Sequence, residues 1–334
     1  MSDAMLTFPL PEGWSSLEHV EDVIDADGLQ LHRVGLAANR DGQEVQGSAA
    51  DADTSPGARA QFELLERASI LEAMCSPDAR FATRTRSGEV TGKWSGSRVF
   101  RVSSEPSVWT YARSNGVALY SDWKSACERA ELELVERDRI LRAWLGETEP
   151  MRLDLDLRSS PLSQTRSYDW SAYLFLAPPA GDFSPGAQAV GVFGFPFKPA
   201  APLVFGYAAR NSVQSATDSA TREAMQLLAF LWGEPICDRA PDPAPTPMCH
   251  LETFQCRDRQ ALVRRWLDGA HRRYRRASEP APVDEVRFVD LTPTWLAGRL
   301  HVAKAISDSA LPLAFGLAPL TAHLPAELQL HPIP

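Results

Sequence analysis

Three stretches of the 334-residue chain place a glutamate three residues before a second acid or amide. The pairs are Glu63 and Glu66, Glu133 and Glu136, and Glu223 and Gln226. Alanine stands three residues before each first glutamate (Ala60, Ala130, Ala220), and an apolar residue stands seven after (Ile70, Ile140, Phe230). Arg67 and Arg137 follow the second acid in two of the three, and Leu227 takes that place in the third. A spacing of three puts both side chains of a pair on one helix face, where like charges repel by about 0.2–0.5 kcal/mol. On a 3.6-residue wheel Glu133 falls among Ala126, Ala130, Ile140 and Trp144, the stripe that should face a core. An unpaired carboxylate there is costly or takes up a proton. Either the arginines neutralise buried ion pairs, or the carboxylates converge on hard cations. Clustered carboxylates with a Gln oxygen suit Mg²⁺, which prefers oxygen ligands and bridges to phosphates. The arginines would then pair phosphate oxygens or hold the glutamates in place.

Competing motifs are weaker. SGEVTGKW, residues 87–94, has its glycines too close and Trp94 where a phosphate loop needs Ser or Thr. Cys249, His250 and Cys256 lack the paired spacing of a zinc site. No GxSxG elbow is present, and His32 and His301 sit in strand patterns. The basic run RRWLDGAHRRYRR, Arg264–Arg276, reads first as a solvated helix face.

Positioning the three acidic stretches requires helices over about 58–74, 122–145 and 215–232. Residues 21–37 read as strand, Asp-Gly turn, strand, and polar, small residues follow from Asn39 to Gly57. Further strands are expected near 80–85 and 98–103, in MRLDLDL, WSAYLFLA, AVGVFGFPF and PLVFGYAA, and late at VRFVDL and RLHVAKAI. The Pro-rich CDRAPDPAPTPMC, 237–249, reads as a loop or extended linker. This is an α+β, mixed α/β chain with no linker long enough to separate two domains. Residues 1–20 read as an N-terminal segment and 21–334 as one catalytic domain. A net charge of −9 argues against general nucleic-acid binding. No apolar run approaches a membrane span, and no secretory signal is visible at the start. Five scattered cysteines fit a reducing, cytoplasmic setting.

The chain resembles the YcaO family. The resemblance is carried by GSAADADTSPGARAQFELLER (47–67), SNGVALYSDWKSACERAELELVERD (114–138), ATREAMQ (220–226) and RLHVAKAISDSALPLAFG (299–316), and runs from about residue 20 to the end. It implies an ATP- and Mg²⁺-binding fold whose acidic helices surround the phosphates. Glu63, Glu66, Glu133, Glu136 and Glu223 would hold Mg²⁺, and Gln226 would complete the nucleotide site with them. Arg67 and Arg137 would neutralise phosphate charge, and Ser114 and Asn115, matching the family's SNG, would line the nucleotide site. Two departures stand out: Tyr120-Ser121 replaces a frequent Gly-Asn, and Arg59 replaces a small residue four before Glu63.

The resemblance also implies a reaction. Members phosphorylate a backbone amide oxygen as a nucleophile adds to the carbonyl, so that phosphate can leave; products include azolines, amidines and thioamides. Azoline-forming members end in a PxPxP-like tail whose terminal carboxylate is thought to act as base. This chain ends Leu330-His331-Pro332-Ile333-Pro334, which points to the Pro334 carboxylate. The expected function is cyclodehydration of Cys, Ser or Thr in a ribosomally made precursor peptide. Thioamide formation and a non-catalytic peptide-binding scaffold are the alternatives. Expected partners are the peptide, a separate leader-binding E1-like protein and, where azoles form, a flavin dehydrogenase, all in an oligomeric complex.

Overall fold

The computed structural model describes residues 10–75, 78–154, 157, 160–178, 181–275 and 284–334. Three antiparallel sheets, each ending in a strand whose outer edge is turned to the same place, make up most of the molecule. The first holds β1 (Ser15–Ala26), β2 (Leu29–Arg40) and β3 (Gln43–Asp51) in that order. The turns between them are Asp27-Gly28 and Asp41-Gly42, all four residues at positive φ, the conformation of a tight hairpin turn. The Asp-Gly turn at 27–28 is as the sequence predicts. β1 begins at Ser15, so the boundary drawn at residue 20 falls inside a strand. β3 falls in the polar, small-residue stretch from Asn39 to Gly57, where the sequence suggests no strand. Its polar and small residues carry little strand propensity, yet it pairs with β2 from His32↔Asp51 to Arg40↔Gln43.

The second sheet has the order β5-β4-β12-β13-β7, built from β4 (Arg80–Arg84), β5 (Val90–Ser95), β7 (Val117–Tyr120), β12 (Arg287–Asp290) and β13 (His301–Ile306). The strand expected near 98–103 is not there: Gly96–Val99 forms a short helical turn, α2, and the partner of β4 is β5. The third sheet is β11-β10-β9-β8, from β8 (Pro150–Leu153), β9 (Tyr168–Phe175), β10 (Gln188–Pro196) and β11 (Val204–Arg210). Residues 155 and 156 of MRLDLDL lie outside the described residues. A two-stranded ribbon of β6 (Trp109–Tyr111) and β14 (Ala314–Gly316) completes the set.

Three long helices cross between these sheets: α1 (Gly57–Met74), α3 (Trp123–Trp144) and α4 (Val213–Leu231). The side chains of Asp122 and Ser212 cap α3 and α4, accepting from Ser125 N at 2.8 Å and Ser215 N at 3.2 Å. Asp122 and Ser212 lie eleven residues before Glu133 and Glu223, respectively. Two shorter helices, α5 (Pro247–Gln255) and α6 (Arg257–Leu267), follow the Pro-rich loop, with Pro247 at the start of α5 where its missing N–H costs nothing. The largest core cluster surrounds Trp144, Phe193 and Trp266, all fully buried. Trp144 Nε1 donates to Leu328 O at 2.9 Å, tying the end of α3 to the C-terminal segment. Trp266 and Leu267 are buried within the basic run, while Arg264 and Arg272 face Asp169 and Glu149. None of the five cysteines is in a disulfide. Among the described residues no helix is long and apolar enough to cross a membrane.

Candidate active site

Strands β3, β7 and β11 each leave one edge unpaired by any strand, and those edges meet the three long helices. Unpaired backbone N–H groups inside a protein need acceptors. The first glutamate of each spaced pair supplies one to the strand before it. Ser48 N donates to Glu63 Oε2 at 2.7 Å, Val117 N to Glu133 Oε2 at 3.1 Å, and Tyr207 N to Glu223 Oε2 at 2.7 Å. The second glutamate reaches the strand of the next unit. Leu119 N donates to Glu66 Oε2 at 3.0 Å, and Ala209 N donates to Glu136. Gln226 closes the circle, its Nε2 donating to Ser48 Oγ at 3.0 Å. Helix α1 thus bridges β3 to β7, α3 bridges β7 to β11, and α4 bridges β11 back to β3.

The alanine three residues before each first glutamate has a partner that the sequence reading missed. Ala60, Ala130 and Ala220 are fully buried, and a glycine precedes each hydrogen-bonded strand residue: Gly47, Gly116 and Gly206. A Cβ on Gly47 would stand 2.2 Å from Ala60 O, and one on Gly206 would stand 2.2 Å from Ala220 O. Helix backbone lies directly on strand backbone in both places. Gly, then Ala 13 or 14 residues later, then Glu three beyond, is one unit used three times.

This arrangement explains the carboxylate in the apolar stripe of α3. Glu133 serves an edge N–H through Oε2 and also lines a cavity of about 410 Å³. Glu66, Glu136, Glu223, Gln226 and Arg137 line the same cavity. Burial, with Glu63 close by, pushes Glu66 up to about 7; burial and Glu136 do the same to Glu223. Burial raises Glu133 and Glu136 as well, against the pull of Arg137. Arg137 is pulled the opposite way: burial disfavours its charge, but Glu136, Glu223 and Glu133 together hold it above its ordinary range. Its Nε lies 3.4 Å from Glu136 Oε1, and its buried Nη1 has no hydrogen-bond partner. Glu63 is held by Arg67 at 2.5 Å and lines a second cavity.

Four further arginines, Arg59, Arg129, Arg210 and Arg222, line the acidic cavity. Burial lowers Arg210, and repulsion from Arg129 adds to it; burial lowers Arg59, and Arg222 adds to that. Arg129 and Arg222 are exposed, whereas Glu136 is buried, so cations rim a cavity with acids inside. Arg59 and Arg129 stand four before Glu63 and Glu133, one turn earlier on the same face. That periodicity was available in the sequence; nothing there pointed to Arg210 or Arg222. Asn115 lines a separate cavity of about 200 Å³ beside Lys304, whose Nζ donates to Asn115 O at 2.7 Å. Ser114 is exposed on the same turn, so neither residue of the SNG stretch lines the acidic cavity.

A family model described as YcaO cyclodehydratase, ATP- and Mg²⁺-binding, matches residues 97–306. The chain belongs to the YcaO family. As a YcaO protein it is an ATP-dependent cyclodehydratase that uses ATP and Mg²⁺. Its fold is similar to that of YcaO from Methanopyrus kandleri bound with AMPPCP and Mg²⁺, at 16% identity and a TM-score of 0.57 over 88% of this chain and 86% of that one. A heterocyclase in complex with substrate and cofactor gives 14% identity and 0.59 over 96% and 54%. The E. coli microcin synthetase McbBCD complex gives 12% and 0.54 over 86% and 87%. No curated protein matches the chain.

The residues that line the acidic cavity would suit a divalent cation and a polyanion. Buried acids that raise one another's pKa are relieved by a hard cation, and arginines that repel one another are relieved by a polyanion. Among the described residues no three acidic, His or Cys side chains gather at metal-ligand spacing. The donor set therefore suits Mg²⁺, which keeps water and phosphate oxygens in its shell, better than an all-protein cage. The weak zinc candidate is absent for a clear reason: His250 Nδ1 bonds His331 O at 3.0 Å, and its Nε2 accepts from Gly316 N at 2.9 Å.

The tail occupies the far side of the same ring. Tyr207, whose N–H serves Glu223, uses its hydroxyl to donate to Pro332 O at 3.0 Å. Ile333 and His331 are buried, and His331 Nε2 bonds Ala314 O at 2.8 Å. Pro334 lines a cavity of about 570 Å³ that shares Arg137, Tyr207, Glu223 and Gln226 with the acidic one.

Proposed function

We propose that this YcaO enzyme cyclodehydrates Cys, Ser or Thr of a ribosomally synthesised precursor peptide to thiazoline or oxazoline. The observation that carries the reading is the shared wall: Arg137, Tyr207, Glu223 and Gln226 separate a cavity suited to a metal–polyphosphate from one that reaches Pro334. When bound, ATP with Mg²⁺ supplies the phosphoryl group that turns an amide oxygen into a leaving group. Glu66, Glu133, Glu136 and Glu223 hold the metal side, and Arg137 with Arg59, Arg129, Arg210 and Arg222 neutralises phosphate charge. The substrate amide enters from the cavity that Pro334 lines. The Cys, Ser or Thr side chain would add to the carbonyl carbon as its thiol or hydroxyl proton is lost to solvent, the oxygen would depart in phosphate, and the amide N–H proton would pass to the Pro334 carboxylate. The balance is loss of one water from the peptide, with ADP and phosphate formed. Catalysis here is positioning and charge neutralisation, which acids and arginines on three helices anchored to strand edges supply.

A separate leader-binding E1-like protein presents the peptide, and an oxidase of the flavin type acts afterwards where azoles form. Two structures of similar fold, a heterocyclase with substrate and cofactor and a microcin synthetase complex, support a peptide substrate and partner proteins. The test is mass spectrometry of a candidate precursor incubated with this chain, its candidate partner and MgATP. A loss of 18 mass units per modified residue, the mass of water, together with ADP is expected. Exchange of oxygen for sulfur would replace this reading with thioamide formation, and no ATP-dependent change would leave a scaffold.

A further inference from the structure

The 570 Å³ cavity differs in chemistry between its two ends. At the ring stand Glu63, Arg67 and Pro334; away from it the wall is Leu36 of β2, Leu227 and Phe230 of α4, and Met248 and Leu251 of α5. Met248 is 58% exposed, and Leu36, Leu227, Phe230 and Leu251 are only partly buried. Their apolar surface is therefore left open beside the reacting groups, with the exposed Glu18 also on the wall.

Helix α4 sets the distance between the two ends. Glu223 and Gln226 face the ring, and Leu227 and Phe230 continue that face at four and seven residues from Glu223. At about 1.5 Å of rise per residue they stand about 6 and 10 Å further along the axis. An extended peptide advances about 3.3 Å per residue. A chain whose amide reaches the ring thus sets the side chains about two and three positions away against Leu227 and Phe230.

Resting on the function proposed above, we infer that this wall is a side-chain subsite. It selects precursor peptides carrying an apolar residue two or three positions from the residue cyclised. The cavity is continuous with the ring, so its occupant is the same peptide whose amide reacts. Its volume lies in the range of formed ligand pockets, about 300–1,000 Å³.

The test compares acetyl-Leu-Leu-Gly-Cys-Gly-Leu-Leu-amide with acetyl-Asn-Asn-Gly-Cys-Gly-Asn-Asn-amide, which places the contrast on both sides of Cys. Binding to the full chain is followed by NMR line broadening, with and without Mg²⁺ and a non-hydrolysable ATP analogue. The Leu peptide is expected to bind about tenfold more tightly, a difference of about 1.4 kcal/mol. Phe230→Asn, and Met248→Asn as the variant least able to disturb folding, should each cut that ratio to about threefold or less while nucleotide affinity stays unchanged. A wild-type ratio near one, no binding of either peptide, or a ratio unmoved in both variants would overturn the inference; a wall that seats a partner protein instead gives the first result. Failure to bind nucleotide would count against the ATP site alone, because the peptide ratio is read without nucleotide as well.

Discussion

At the residue scale, the central fact is that each ring carboxylate does two things. Each accepts from a strand edge, and beyond that Glu66, Glu133, Glu136 and Glu223 line the acidic cavity while Glu63 pairs with Arg67, so the acids are kept buried and close in spite of their repulsion. Glu66 and Glu223 consequently stand near 7 rather than at the ordinary value of about 4.3. A folded-state pKa above the unfolded one means that the proton favours folding. That contribution is complete below about pH 4 and is lost as pH rises through about 7. Ligand-free protein should therefore melt at a lower temperature at pH 8 than at pH 5.5, and the Glu66→Gln/Glu223→Gln variant should lose much of this slope. Differential scanning fluorimetry across that range reads it. A wild-type profile that rises toward pH 8, or matches the variant, would contradict the assignment. The register of these acids was legible in the sequence because helical periodicity places a glutamate in an apolar stripe. The reason for it was not, because the N–H groups they serve belong to strands 15 or 16 residues earlier or from another sheet.

At the element scale, the repeated contact is helix backbone on strand backbone. The alanines announced half of it. Gly47 and Gly206 complete it, and they were overlooked because a glycine in an apolar or small-residue strand gives no periodic signal of its own. β3 was overlooked for the related reason that GQEVQGSAAD is too polar and small to read as a strand, although it carries Ser48. Gly206→Ala tests the contact. Its Cβ would sit 2.2 Å from Ala220 O and 2.3 Å from Ala224 N, so α4 must move off β11. Overpacking of this kind costs about 3 kcal/mol, read as a lower midpoint in urea, and should weaken MgATP binding because Glu223 and Gln226 move with the helix. Stability and affinity equal to wild type would mean that the approach is not as close as described.

At the scale of the whole molecule, three sheets lend one edge each to a single ring, and three helices bind the ring shut. Local pattern could find the helices and name the acids. It could not join β3, β7 and β11, which are separated by long stretches of chain and belong to different sheets. The arginine rim shows the same limit, since Arg59 and Arg129 keep helical register while Arg210 sits on a strand end. The molecule's central claim is that this ring is the MgATP site. The most direct measurement is a calorimetric titration of MgATP into wild type and Glu133→Gln. The amide oxygen of Gln still accepts from Val117 N, so the fold should persist while the metal-facing charge is lost. The account predicts binding by wild type and affinity at least about thirtyfold weaker in the variant, about 2 kcal/mol, with an unchanged circular dichroism spectrum. Equal MgATP affinity in the two proteins would contradict it.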